Sequence, residues 1–102
     1  MKLVVRAGED ACKVGVAHWW PYRWHWYDEA SLSPFPSYMR RKAYRMNSKY
    51  MTMVRVSFRD GDLTTFAVCR ANDTPSRAKG RFIALLRMGR LLKSMGLKME
   101  KA

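Results

Sequence analysis

Three stretches of this chain read as strands, two of them through a period-two alternation of hydrophobic and polar positions, and two others follow a helical period. The first stretch, Lys2–Arg6, is short and rich in Leu and Val, and Ala7-Gly8-Glu9-Asp10 after it reads as a turn. Cys12, Val14, Val16 and His18 then alternate with Lys13, Gly15 and Ala17, which predicts a second strand pairing back on the first. Gly15 inside that strand marks a bulge or a close backbone approach.

The third of these stretches runs from Tyr50 to Cys69. Val54, Val56 and Phe58 alternate with Arg55, Ser57 and Arg59, and beyond a turn Phe66 and Val68 alternate with Thr65 and Ala67. A two-residue turn at Asp60-Gly61 puts Phe66 on the face of Arg55. A three-residue loop, Arg59-Asp60-Gly61, instead pairs Val54 with Phe66 and gathers the large residues on one face, with Gly61 at the left-handed position. The pattern favours the three-residue loop and leaves Arg55 and Arg59 on the other face.

Helical spacing is clearest between Thr74 and Gly96. Thr74 suits an N-cap, Pro75 a first helical position, and Gly96 a stop with Leu97 folding back. Phe82, Leu85, Leu86, Gly89 and Leu92 share one arc, which predicts a core-facing stripe, while Lys79, Arg87 and Arg90 gather roughly opposite. Met88, Leu91 and Met95 form a second apolar sector; a helix apolar on more than one side is either deeply buried or expects a partner, and these three are assigned to docking a partner protein. A shorter helix is predicted from Tyr38 to about Asn47, with Ser37 as cap. It has Met39, Ala43 and Met46 on one side and Arg40, Arg41, Lys42 and Arg45 around the remainder. Together these elements predict one α+β domain over 1–102: a small antiparallel sheet of the N-terminal strands plus the 50–69 hairpin, packed against a long amphipathic basic C-terminal helix, with a short basic helix near 38–47.

Between strand and short helix the pattern breaks. Residues 19–27 hold six of the thirteen Phe, Trp and Tyr residues, including all four tryptophans, and Pro21 excludes a regular helix or a central strand there. Trp19, Trp20, Trp24, Trp26 and Tyr27 have three readings that stay open. They are core filling for a small domain, an anchor for a partner protein, or a platform on which bases stack. Residues 28–37, rich in Pro and Ser, read as an internal loop.

Charge changes what the helices mean. Twenty Lys and Arg against eight Asp and Glu leave a net charge of +12, and the excess is concentrated. Residues 1–30 are balanced, 31–59 carry seven basic and no acidic residues, 60–74 are net acidic, and 75–102 are strongly basic. Localised patches of this kind point to a polyanion. The expected phosphate contacts are Arg40, Arg41, Lys42, Arg45, Arg55, Lys79, Arg87 and Arg90.

Catalytic signatures do not emerge. His18, His25, Cys12 and Cys69 have neither C-x-x-C nor H-x-x-x-H spacing, so no metal is expected. The acidic residues fall in turns, and no phosphate-binding Gly loop or nucleophile elbow is present. A non-enzymatic protein is expected, with no cofactor and no small-molecule substrate. No signal peptide and no apolar run near the roughly 20 residues of a membrane span are seen. Two isolated cysteines then suggest reduced thiols in a cytoplasmic setting, the nucleoid or a host cytoplasm included.

The hairpin followed by a basic helix resembles double-stranded-RNA-binding domains, through Ser76-Arg77-Ala78-Lys79 alone, and that stretch carries no site residue across. In size, charge and aromatic content the chain is also similar to small phage proteins that dock on host nucleic-acid enzymes. Two functions follow as expectations. One is direct nucleic-acid binding, to DNA or RNA. The other is regulation or inhibition of a nucleic-acid-processing protein, such as a host nuclease–helicase, through protein–protein contacts.

Overall fold

A computed structural model of the chain describes residues 2–19, 37–45, 50–70, 74 and 76–102, the side chains of Trp19, Ser37, Arg40, Ala43 and Tyr44 excepted. The aromatic residues Trp20, Trp24, Trp26 and Tyr27 and the loop before Ser37 lie outside the described residues. The architecture is α+β: five antiparallel strands and, over one face of the sheet, a C-terminal helix.

In chain order the elements are β1 (Leu3–Ala7), β2 (Asp10–Trp19), α1 (Ser37–Arg45), β3 (Tyr50–Phe58), β4 (Gly61–Cys69), α2 (Arg77–Ser94) and β5 (Met99–Lys101). The strands lie in the order β4-β3-β2-β1-β5. The long strand β2 is shared between two neighbours. Asp10–Lys13 pair with β1, and Val14–Trp19 pair with β3. Register runs unbroken through Gly15, opposite Arg55, so that glycine makes no bulge.

The hairpin differs from expectation by one residue. Phe58 pairs with Gly61, leaving Arg59-Asp60 as a two-residue loop, and Val54 faces Thr65 rather than Phe66. Gly61 takes φ +145°, a region open to glycine. A one-residue slip turns every side chain of the strand over. Leu63, Thr65 and Ala67 therefore share a face with Val54 and Val56, while Phe66 and Val68 lie on the opposite face with Met51 and Met53.

Both faces of this part of the sheet are covered, which is why large residues point both ways. Beneath α2 the core joins Val5, Cys12, Val54, Val56 and Ala67 to Ala84, Met88 and Leu92. On the reverse face Met39 of α1 closes a smaller cluster over Met51 and Met53, with Ala17, Phe66 and Val68 at its margin. Four methionines thus fill interior gaps, where an unbranched thioether adapts to irregular space.

α2 starts two residues later than Thr74 and Pro75 suggest. Its N-cap is Ser76, extended at φ −145° and ψ 120°, whose hydroxyl oxygen accepts the Lys79 N–H at 3.2 Å. The C-terminus closes as expected. Gly96 (φ +75°) donates to the Lys93 carbonyl at 3.1 Å, and Leu97 donates to the Leu92 carbonyl at 2.9 Å. This paired motif satisfies the last helical carbonyls and reverses the chain. Leu97 then packs against the core, and β5, which no alternation announces, pairs with β1.

The helix is rotated relative to the expected core stripe. Ala84, Met88 and Leu92 are fully buried, whereas Phe82 is 66% and Leu86 45% exposed. Small residues lie where α2 comes closest to the sheet. The Thr65 hydroxyl donates to the Ala84 carbonyl at 2.7 Å, and Gly80 lies against Thr52 and Tyr50.

Candidate nucleic-acid interface

β4 is an edge strand, so one row of its backbone groups faces away from the sheet. α1 lies along this edge on one side, with Tyr38 edge-to-face on Phe66 at a centroid distance of 6.4 Å. α2 lies along it on the other, where Arg87 Nη1 donates to the Phe66 carbonyl at 2.5 Å. Between them opens a cleft with Met39, Phe66 and Val68 in its wall and Lys42, Arg70 and Arg87 around it. Among the described residues, no carboxylate lines it.

Three cations, one on each helix and one just past the end of β4, therefore share one concave surface. A guanidinium carries five N–H donors. Arg87 commits one group to the strand edge, which fixes its direction, and keeps donors for a phosphate oxygen. Lys42 and Arg70 are exposed. Arg41 and Arg45 are exposed on the same short helix as Lys42 and extend its positive surface; Arg40 lies on α1 between Met39 and Arg41.

The other expected phosphate ligands are dispersed. Arg55 lies on the α1 side of the sheet with Asp62 at 3.7 Å, so a carboxylate already offsets its charge. Lys79 stands near the start of α2, beside a small pocket that includes Tyr50 and Cys69. Arg90 flanks an exposed apolar strip on the outer side of α2. Arg70 completes the cleft although it stands in the net-acidic block of the sequence; its place at the end of the edge strand is the signal that finds it.

The expected docking sector is corrected. Met88 is fully buried against the sheet and is not available to a partner, because the face it occupies is the one α2 turns to the core. Leu91 and Met95 beside it are 37% and 51% exposed. Trp19 ends β2 opposite Met51.

At the far end of β2, His18 stacks on Tyr50 with ring centroids 5.3 Å apart, and its Nδ1 shares a hydrogen bond of 3.0 Å with the Thr52 hydroxyl. Burial lowers the His18 pKa below its ordinary value, and the nearby Arg77 and Arg81 guanidinium groups lower it further. Burial raises the Tyr50 pKa, with Thr52 and Arg77 opposing that shift. The unfolded chain then takes up a proton near pH ~6.5 that the folded one resists. Stability is complete above that pH and is lost as pH falls from it toward the folded pKa. Urea midpoints at about pH 7.5 and about pH 5.5 should differ for the native chain, and His18→Gln should narrow the difference. An equal difference in the variant would remove His18 from the account.

No protein-family model matches this chain, and neither a curated protein nor a solved structure matches it. Among the described residues, no helix is long and apolar enough to cross a membrane, and no three His, Cys, Asp or Glu side chains are grouped to hold a metal ion.

Proposed function

We propose that this protein binds nucleic acid through the cleft at the β4 edge, with Lys42, Arg70 and Arg87 meeting phosphates and Arg41 and Arg45 extending the contact along the backbone. The observation that carries the reading is the convergence of three cations from separate parts of the chain on one groove that, among the described residues, no carboxylate lines. The net charge of +12 supports it, since it concentrates polyanions near the surface before any contact forms. Such contacts read the phosphate backbone and not base edges, so affinity without strong sequence preference follows. Met39, Phe66 and Val68 offer an apolar wall to the sugar or to an unstacked base.

The test is anisotropy of labelled single- and double-stranded DNA and RNA over a salt series. Each neutralised phosphate contributes about −0.9 to the slope of log affinity against log salt on duplex DNA, so three cleft contacts predict a slope of about −2.7 or steeper. Lys42→Glu/Arg70→Glu replaces two exposed side chains without disturbing the Arg87 bond to the strand. It should make the slope shallower by about 2 and weaken binding about tenfold or more. Arg90→Glu/Lys93→Glu, on the other side of α2, is the control and should change far less. Slopes and affinities that the cleft variant leaves unchanged would falsify the assignment.

A further inference from the structure

The cleft uses one flank of α2; the strip that contains Phe82 and Leu86 lies on another. Arg87 and Phe82 are about 140° apart on a 3.6-residue helix. Phe82 and Leu86 stand one turn apart and exposed, and Gly89 leaves a shallow gap between them and Met99 of β5. The opposite arc of the helix is fixed in the core through Ala84, Met88 and Leu92, so α2 cannot roll to hide them. Arg90 and Lys93 border the gap. The sole carboxylate of residues 75–102, Glu100, is paired with Arg6 at 3.2 Å.

We infer that this strip receives an acidic amphipathic helix of another protein, its apolar residues over Phe82, Leu86 and the Gly89 gap and its carboxylates against Arg90 and Lys93. Charge decides between the possible occupants. A second copy docking through the same face would bring Arg90 and Lys93 near their own equivalents, between two chains of +12 each. A nucleic acid would stack a base on Phe82 but leave Leu86 and the Gly89 gap without an apolar partner, and Arg90 and Lys93 give its backbone few contacts there. An anionic membrane matches the rim, but an interfacial helix buries a continuous apolar face, and here that face is spent on the sheet. An amphipathic helix with anchors one turn apart matches both the apolar centre and the cationic border.

The probe is a labelled peptide of about 15–20 residues with Leu at helical i, i+4 and i+7 positions flanked by Glu. Two relatives of it serve as controls, one with Ser for Leu and one with Lys for Glu. Saturable binding to the Glu peptide alone is expected. Phe82→Asp/Leu86→Asp changes exposed positions, so its circular dichroism should match the native chain while its affinity falls about tenfold or more. Arg90→Glu/Lys93→Glu should lose the Glu peptide and gain the Lys peptide. Nucleic-acid affinity should be unaltered by the neutral pair Phe82→Ser/Leu86→Ser, which separates this surface from the cleft. Four results overturn the inference: no saturable binding, equal binding of the Ser peptide, a dimer in sedimentation that Phe82→Asp/Leu86→Asp dissolves, or capture by anionic vesicles that this variant abolishes.

Discussion

Met88→Ala should lower the free energy of unfolding by about 2–5 kcal/mol, while Phe82→Ala on the same helix changes it by no more than about 0.5 kcal/mol. The two side chains are similar in size and hydrophobicity, and the difference comes from where α2 points them. Met88 is fully buried between Ala84 and Leu92, against Val54, Val56 and Ala67. Its truncation loses the transfer energy of the thioether and leaves a cavity that a rigid sheet fills poorly. Phe82 is 66% exposed and leaves no cavity. A domain of this size has about 5–15 kcal/mol in total, so Met88→Ala removes a large fraction. At about 4–8 °C per kcal/mol, its melting temperature should drop by roughly 10 °C or more. Denaturant and thermal melts of both variants decide the matter. A large loss at Phe82 with a small one at Met88 would mean that α2 sits on its other face, and the strip assigned to a partner would be core.

The rotation of α2 shows what a helical wheel can and cannot give. The strands β1 to β4, the short basic helix, the long helix and its Gly96 stop are legible from period and punctuation alone, and β5 is not. The buried face of α2 is not, because Phe82, Ile83, Leu85, Leu86, Met88, Leu91 and Leu92 spread apolar surface nearly all the way round. What selects the face is closeness of approach. A helix lying tightly on a sheet needs small residues at the crossing, and Gly80 and Ala84 supply them one turn apart. The hairpin register carries a related lesson. Choosing a loop to gather all large residues on one face assumes that one face is buried. Yet Tyr50–Val54 is an unbroken buried run, the pattern of a strand covered on both sides, and Met51 and Met53 within it announce the second cluster. Of the cleft, Lys42 and Arg87 follow from the charge blocks. Arg70 does not, since a count over 60–74 gives net acidity and conceals a cation at the end of an edge strand.

Gly80 and Gly89 turn that argument into a measurement, because the same substitution in the same helix should have opposite signs. In a helix interior, Gly→Ala gains about 1 kcal/mol from propensity alone. At Gly89 nothing opposes it, since an added methyl would meet only the flexible end of Met99 at 3.7 Å. Gly89→Ala should stabilise the fold by about 0.5–1 kcal/mol. At Gly80 the methyl would collide with Thr52 Oγ1 and stand 3.3 Å from Thr52 Cβ and 3.5 Å from Tyr50 Cε1. Thr52 is fully buried and its hydroxyl is held by His18, so it cannot turn aside without giving up that bond. Overpacking of this kind costs about 1–3 kcal/mol, which outweighs the propensity gain over most of that range. The gap between the two variants should therefore be about 1–3 kcal/mol and read the collision alone, the propensity gains cancelling. In a Thr52→Ala background, where the obstructing oxygen is gone, Gly80→Ala should cost less, a coupling visible in a double-mutant cycle. Equal stabilisation by both alanines, with no coupling to Thr52, would place α2 further from the sheet and take away the close approach that sets its rotation and leaves Phe82 and Leu86 facing outward.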